Sequence, residues 1–151
     1  MKIRNGFVSN SSSSSFIIPK GNDIEKILEY ARKESEKVFL KRASDDVKYY
    51  LTKERHKFGY NRRIEDAKRT LNFYEKHIED LGTDIHITTV KNLMDEDFEE
   101  GFYIPDWYDN HEKFDKDDIV LYDIYDNAIP EEAGQKIVKK FKVKDYNLHM
   151  G

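Results

Sequence analysis

The chain of 151 residues predicts an α+β domain in which a small mixed or antiparallel sheet has a helical hairpin and further helices packed on one side. Three features lead there. Between residues 22 and 82 apolar side chains recur at steps of three and four, the period of helices with one buried stripe. From Asp84 the step changes to two and β-branched residues take over, and Ile119-Val120-Leu121-Tyr122-Asp123-Ile124-Tyr125 forms a short, nearly apolar run that reads as a central strand. The length fits one domain, residues 1–151, with a real but modest core.

The elements follow in order. Phe7-Val8 and Phe16-Ile17-Ile18 have strand composition, and the run Asn10, Ser11, Ser12, Ser13, Ser14, Ser15 between them reads as an ordered connection joining two strands, its hydroxyls closing turns on neighbouring backbone. The whole stretch Arg4-Asn5-Gly6-Phe7-Val8-Ser9-Asn10-Ser11-Ser12-Ser13-Ser14-Ser15-Phe16 resembles a short signature at the head of uncharacterised phage and bacterial proteins. That resemblance covers roughly the first eighteen residues. It implies a phage-type genetic context and brings with it no activity, cofactor or catalytic residue.

After Pro19, Asn22 or Asp23 is suited to cap a helix whose inward residues are Ile24, Ile27, Leu28, Ala31 and Val38, ending near Leu40. Ser44-Asp45-Asp46 resembles a second helix start, with Val47, Tyr50 and Leu51 inward and Gly59 as its stop. A third helix is expected from Asn61, with Ile64, Ala67, Leu71, Tyr74, Ile78 and Leu81 inward and Gly82 at its C-cap. The second and third helices would form an antiparallel hairpin, packed on the sheet in preference to serving as a dimerisation arm.

A strand follows over residues 85–90, where His86 is a sheet-face residue rather than a ligand. Residues 91–118 are irregular, acidic and aromatic together, and read as a long loop. After the strand within 118–126, Pro130 with Glu131 and Glu132 opens a short helix to about Lys140, and a last strand is expected within 141–148.

Composition excludes several classes of function. There is no cysteine, hence no disulfide framework and no thiolate metal site or thiol nucleophile. The serines interrupt the apolar region a signal peptide needs, and no other run approaches a membrane span, so a cytoplasmic protein is expected, in the host cytoplasm if phage-encoded. The net charge of −4 hides an asymmetry: residues 1–82 hold 18 Lys+Arg and 13 Asp+Glu (+5), residues 83–151 hold 8 and 17 (−9). Two such halves attract one another within the fold or between subunits of a homo-oligomer.

No nucleotide-binding, metalloprotease, nucleophile-elbow or calcium-loop motif is present, so no catalytic residue, cofactor or metal is assigned. Asp106, Asp109 and His111 have the ligand chemistry for a divalent cation, but carboxylates are frequent enough here that such spacing arises by chance. The reading is therefore a small non-enzymatic accessory protein that binds a host or viral macromolecule, a protein or a nucleic acid. Phe102, Tyr103, Trp107 and Tyr108 with Asp106 and Asp109 are its expected partner-binding residues, because aromatic anchors dominate interface energetics and acids steer basic partners. Two alternatives stand beside it. One is an enzyme or a binder of phosphate or nucleotide near the serine loop. The other is nucleic-acid binding through a basic hairpin tip carrying Arg55, Lys57, Arg62 and Arg63.

Overall fold

The computed structural model describes residues 14–52, 60–95, 113–123 and 128–148. Among them lie four strands and four α-helices, an α+β arrangement as expected. Strand β1 (Ser14–Ile18) runs between β3 (Ile119–Asp123) and β4 (Asp145–Asn147), and β2 (Ile85–Thr89) extends the sheet beyond β3, with all three pairings antiparallel.

Because side chains alternate across a strand, the register sorts the core into two faces. Phe16 lies opposite Leu121 and Ile18 opposite Ile119 on one face, while Ile17 lies opposite Val120 on the other. The first face is covered by α1 (Ile24–Thr52) and α4 (Glu131–Phe141), which bring Ile27, Ala31, Ala133 and Ile137 down onto it. The second face meets the short α3 (Val90–Asp95) through Val90 and Leu93, with Phe114 packed alongside. The first part of α1 and α4 thus share one side of the sheet, and α3 occupies part of the stretch expected to be loop.

Strand β1 begins inside the serine run. Ser14 and Ser15 are fully buried strand residues, not part of a connection. The reason is an acceptor at the strand's entrance: the buried Asp123 carboxylate takes the Ser14 amide on one oxygen and the Ile129 amide, at 2.7 Å, on the other. Asp118 does the same service at the exit. Its carboxylate, fully buried, accepts the amides of Lys20 and Asp115 at 3.0 Å each and the Lys144 ammonium at 2.8 Å.

The largest departure from the sequence reading is α1, a single helix of 29 residues where two were expected. The break anticipated between Leu40 and Ser44 does not occur. Ala43 is buried, and Lys41 bridges to Asp45 at 2.6 Å one turn on, so Asp45 supports the helix interior instead of starting a new helix. With no glycine or proline between residues 24 and 52, nothing in the backbone demands a stop. Its start is as expected: Asp23 Oδ1 accepts the amide of Glu25 at 2.9 Å.

The second helix of the pair, α2 (Tyr60–Leu81), ends in a 3-10 turn over Gly82–Asp84 and leaves helical geometry at His77 (φ −126°, ψ 21°). At its end Arg32 of α1 donates from Nε to the Gly82 carbonyl at 2.9 Å. A Cβ at Gly82 would lie 3.0 Å from Arg32 Cγ, so the glycine makes room for that capping side chain.

Two other ties hold α1 to α4. Glu34, buried under its own helix, receives Lys37 at 2.8 Å and Lys136 at 3.0 Å, and these two ammonium groups hold its carboxyl below the usual range against the opposing effect of burial. Arg42 pairs with Glu132 through both Nε and Nη2.

The position of the core generates a direct contrast. Leu121→Ala, at a fully buried strand site, should lower unfolding stability by about 2–5 kcal/mol, whereas Leu51→Ala, 39% exposed on α1, should change it by less than about 0.5 kcal/mol. Equilibrium denaturation of the two variants measures both.

Candidate binding surface

Helices α1 and α2 pack antiparallel. Arg32 meets Gly82, the Phe39 and Tyr74 rings lie 6.0 Å apart, and Ala43, Asp46 and Tyr50 share a groove with Arg63, Asp66, Ala67 and Thr70. The hairpin is thus built from α1 and α2, in place of the expected second and third helices. At 1.5 Å per residue α1 is about 43 Å long, while a five-residue strand spans about 17 Å, so only part of α1 can rest on the sheet. The part that does is the first half, where Ile27, Ala31, Glu34 and Ser35 are buried.

Farther along, burial falls away. Val38, Phe39, Leu40, Val47 and Tyr50 of α1 are half-buried, as are Ile64, Leu71, Tyr74 and Ile78 of α2. Among the described side chains of α2 only Ala67 reaches the burial of the core. The inward stripe of α2 was correctly placed by its three-and-four spacing, yet among the described residues it faces one neighbouring helix and stays half-buried. Tyr49 (48% exposed) and Phe73 (55% exposed) add large rings to the outside of the pair. Tyr49 stacks edge-on against Tyr50 at 5.3 Å, and Phe73 lies 5.0 Å from the His77 ring.

A groove of about 450 Å³ runs between the helices near the base of this arm, lined by Glu25, Leu28, Glu29, Arg32, Lys33, Glu36, Ile78 and Glu79. Its electrostatics are lopsided. Arg32 is occupied by the Gly82 carbonyl and Lys33 by Glu29 at 2.9 Å. Burial, and then the charge of Glu79 on the facing helix, push the Glu36 carboxyl above its usual range.

The residues singled out in the sequence fall as follows. Phe102, Tyr103, Asp106, Trp107, Tyr108 and Asp109, and with them His111, lie outside the described residues, as do Asn10, Ser11, Ser12, Ser13, Arg55 and Lys57. Ser14, Ser15 and Phe16 are interior residues of β1. Arg62 and Arg63 are exposed on the first turn of α2. His86 is exposed at the sheet face, its ring 5.5 Å from Tyr122. Sequence reasoning missed the base groove, although the carboxylates were visible at Glu25, Glu29 and Glu36; their convergence with Glu79 depends on the interhelical register.

Among the described residues there is no group of three or more side chains suited to hold a metal ion, and no helix long and apolar enough to cross a membrane. No family model matches the chain, and neither a curated protein nor a solved structure matches it.

Two outcomes follow from these side chains. The Ser15 hydroxyl is buried without a hydrogen-bond partner, a cost of about 1–3 kcal/mol for a stranded polar group. Ser15→Ala should therefore leave the denaturation midpoint unchanged or raise it, and a clear loss would show that the hydroxyl is bonded in solution.

Glu36 titrates higher in the folded chain than in the unfolded one, so the folded state binds its proton first and stability gains as pH falls through that raised value. Glu36→Gln should accordingly be more stable than the parent at neutral pH. The difference should vanish below the ordinary carboxylate pKa of about 4.3. Melting curves from neutral to acid pH measure this.

Proposed function

We propose that this is a small, non-enzymatic accessory protein of the cytoplasm that acts by binding a macromolecule, and that the α1–α2 arm is its binding surface. The observation that carries this reading is the open seam. An antiparallel helix pair normally completes its burial against a sheet or further helices, because apolar burial supplies most helical stability. Here nine large apolar and aromatic residues on the two facing helices, Val38, Phe39, Leu40, Val47, Tyr50, Ile64, Leu71, Tyr74 and Ile78, all stay half-buried. Exposed rings at Tyr49 and Phe73 supply the kind of rigid anchor on which interfaces concentrate their energy.

Among the described residues, the fully buried acids serve the fold. Asp118 and Asp123 are buried acids, and each accepts backbone amides that the fold needs satisfied. The described serines of the N-terminal motif are closed to solvent, which draws the site away from them. The resemblance of that motif to phage and bacterial proteins suits an accessory protein supplied alongside a host's machinery.

The test is affinity capture from expressing cells, with the intact chain compared to a Leu40→Lys, Leu71→Lys double variant. Both positions are half-buried on the arm, so the variant should keep the sheet core and melt cooperatively. A protein recovered by the intact chain and lost with the variant is the expected result. Identical recovery by both would contradict the arm as the surface.

A further inference from the structure

The geometry points to a basic amphipathic helix of a partner protein as the occupant of the outer groove of the arm. This rests on the arm being the binding surface and adds the chemistry of what binds there. The floor of the base groove is apolar, from Leu28 and Ile78, and its rim holds Glu25, Glu29, Glu36 and Glu79. Lys33 closes on Glu29, and Arg32 is turned to the Gly82 carbonyl. Among the described residues no cation lies within 4 Å of Glu25, Glu36 or Glu79. Glu36 and Glu79 line this groove from the two helices and repel each other; Lys33 and Arg32 offset part of that repulsion, and four carboxylates against two cations leave the lining net acidic.

The groove does not end at the base. Ile64, Leu71 and Ile78 fall at seven-residue steps on α2, and Lys33, Leu40 and Val47 do so on α1, so each set follows one stripe of its helix. Ile78 and Lys33 line the groove, and the half-buried Leu40, Val47, Ile64 and Leu71 lie farther along the same two stripes. From Ile64 to Lys76, before the break at His77, is about 18 Å of helix, a little over three turns. A ligand that matches this surface has an apolar stripe of that length and Lys or Arg where it passes the glutamates. An amphipathic helix laid in the groove supplies both.

The test uses two synthetic helical peptides of about 18 residues with the same leucine stripe, one with a Lys/Arg polar face and one with a Glu/Asp polar face, titrated into the full chain by fluorescence anisotropy. The chain is compared with a Glu36→Gln, Glu79→Gln double variant and with Leu71→Lys, each first shown to melt cooperatively. The expected result is saturable binding of the basic peptide, with the acidic one weaker by about tenfold or more. Affinity for the basic peptide should fall by about tenfold in the glutamine variant, with a similar loss at raised ionic strength.

Equal binding of the two peptides, unaffected by the glutamine substitutions but lost in Leu71→Lys, would overturn the basic partner and leave the arm as the surface. Binding that survives Leu71→Lys would overturn both. Absence of binding by either peptide would overturn this inference alone, since capture of a partner through the arm is read separately. Self-association of the chain that the basic peptide displaces, seen by sedimentation, would make the occupant a second copy and overturn the partner protein.

Discussion

The central strand is short and buried from end to end, so the amides at its two ends must find acceptors inside the protein. The fold depends on the two acids that provide them. Asp123 closes the last residue of β3 and takes the amide that begins β1, together with that of Ile129 ahead of α4. Asp118 stands just before β3 and takes the Lys20 amide beyond the end of β1, the Asp115 amide, and the Lys144 ammonium at the entrance to β4. Hydrogen bonds to a charged acceptor contribute about 1.5–3 kcal/mol each, so the pair reinforces the register that Phe16, Ile17 and Ile18 set against β3. Segments about a hundred residues apart in sequence are brought together this way.

What the sheet supports is less complete. The first half of α1 belongs to the core, tied down by Ile27 and Ala31 and by the ion pair of Glu34 with Lys136 of α4, and Arg42 adds a last, exposed pair with Glu132 before the helix runs out along α2. The second half leaves it and has α2 as its companion. A two-helix layer cannot bury its own seam, because each helix shields only one side of the other. The half-buried apolar stripe and the glutamates lining the groove at its base are both features that the proposed partner helix would cover.

Much of the fold was legible in the sequence. The stripe of α2, the strand at Ile85–Thr89, the apolar run of β3, the Asp23 cap and the Pro130 entrance to α4 all stand where local patterns place them. These features depend on periodicity and on capping chemistry, which act over a few residues. The unbroken α1 was misread because Ser44-Asp45-Asp46 carries the residues of a helix start, and only the burial of Ala43 against the fold shows that the helix continues. The beginning of β1 was misread for a related reason. Serine has little strand preference, and the partner that draws Ser14 into the sheet is Asp123, more than a hundred residues away. The groove of glutamates was hidden likewise, since Glu36 and Glu79 become neighbours only through the antiparallel register of two helices.

The central claim is that a firmly held sheet carries an arm whose seam stays half-buried among the described residues. Native-state amide hydrogen exchange of the free protein tests it most directly, because exchange reads the free energy of local opening segment by segment. The account predicts that amides in residues 62–80 of α2 exchange through openings well below the global unfolding free energy, while those of Phe16–Ile18 and Val120–Leu121 exchange only with it. Equal protection of α2 and the central strands would contradict the account, for it would mean that the arm already has all the burial it needs.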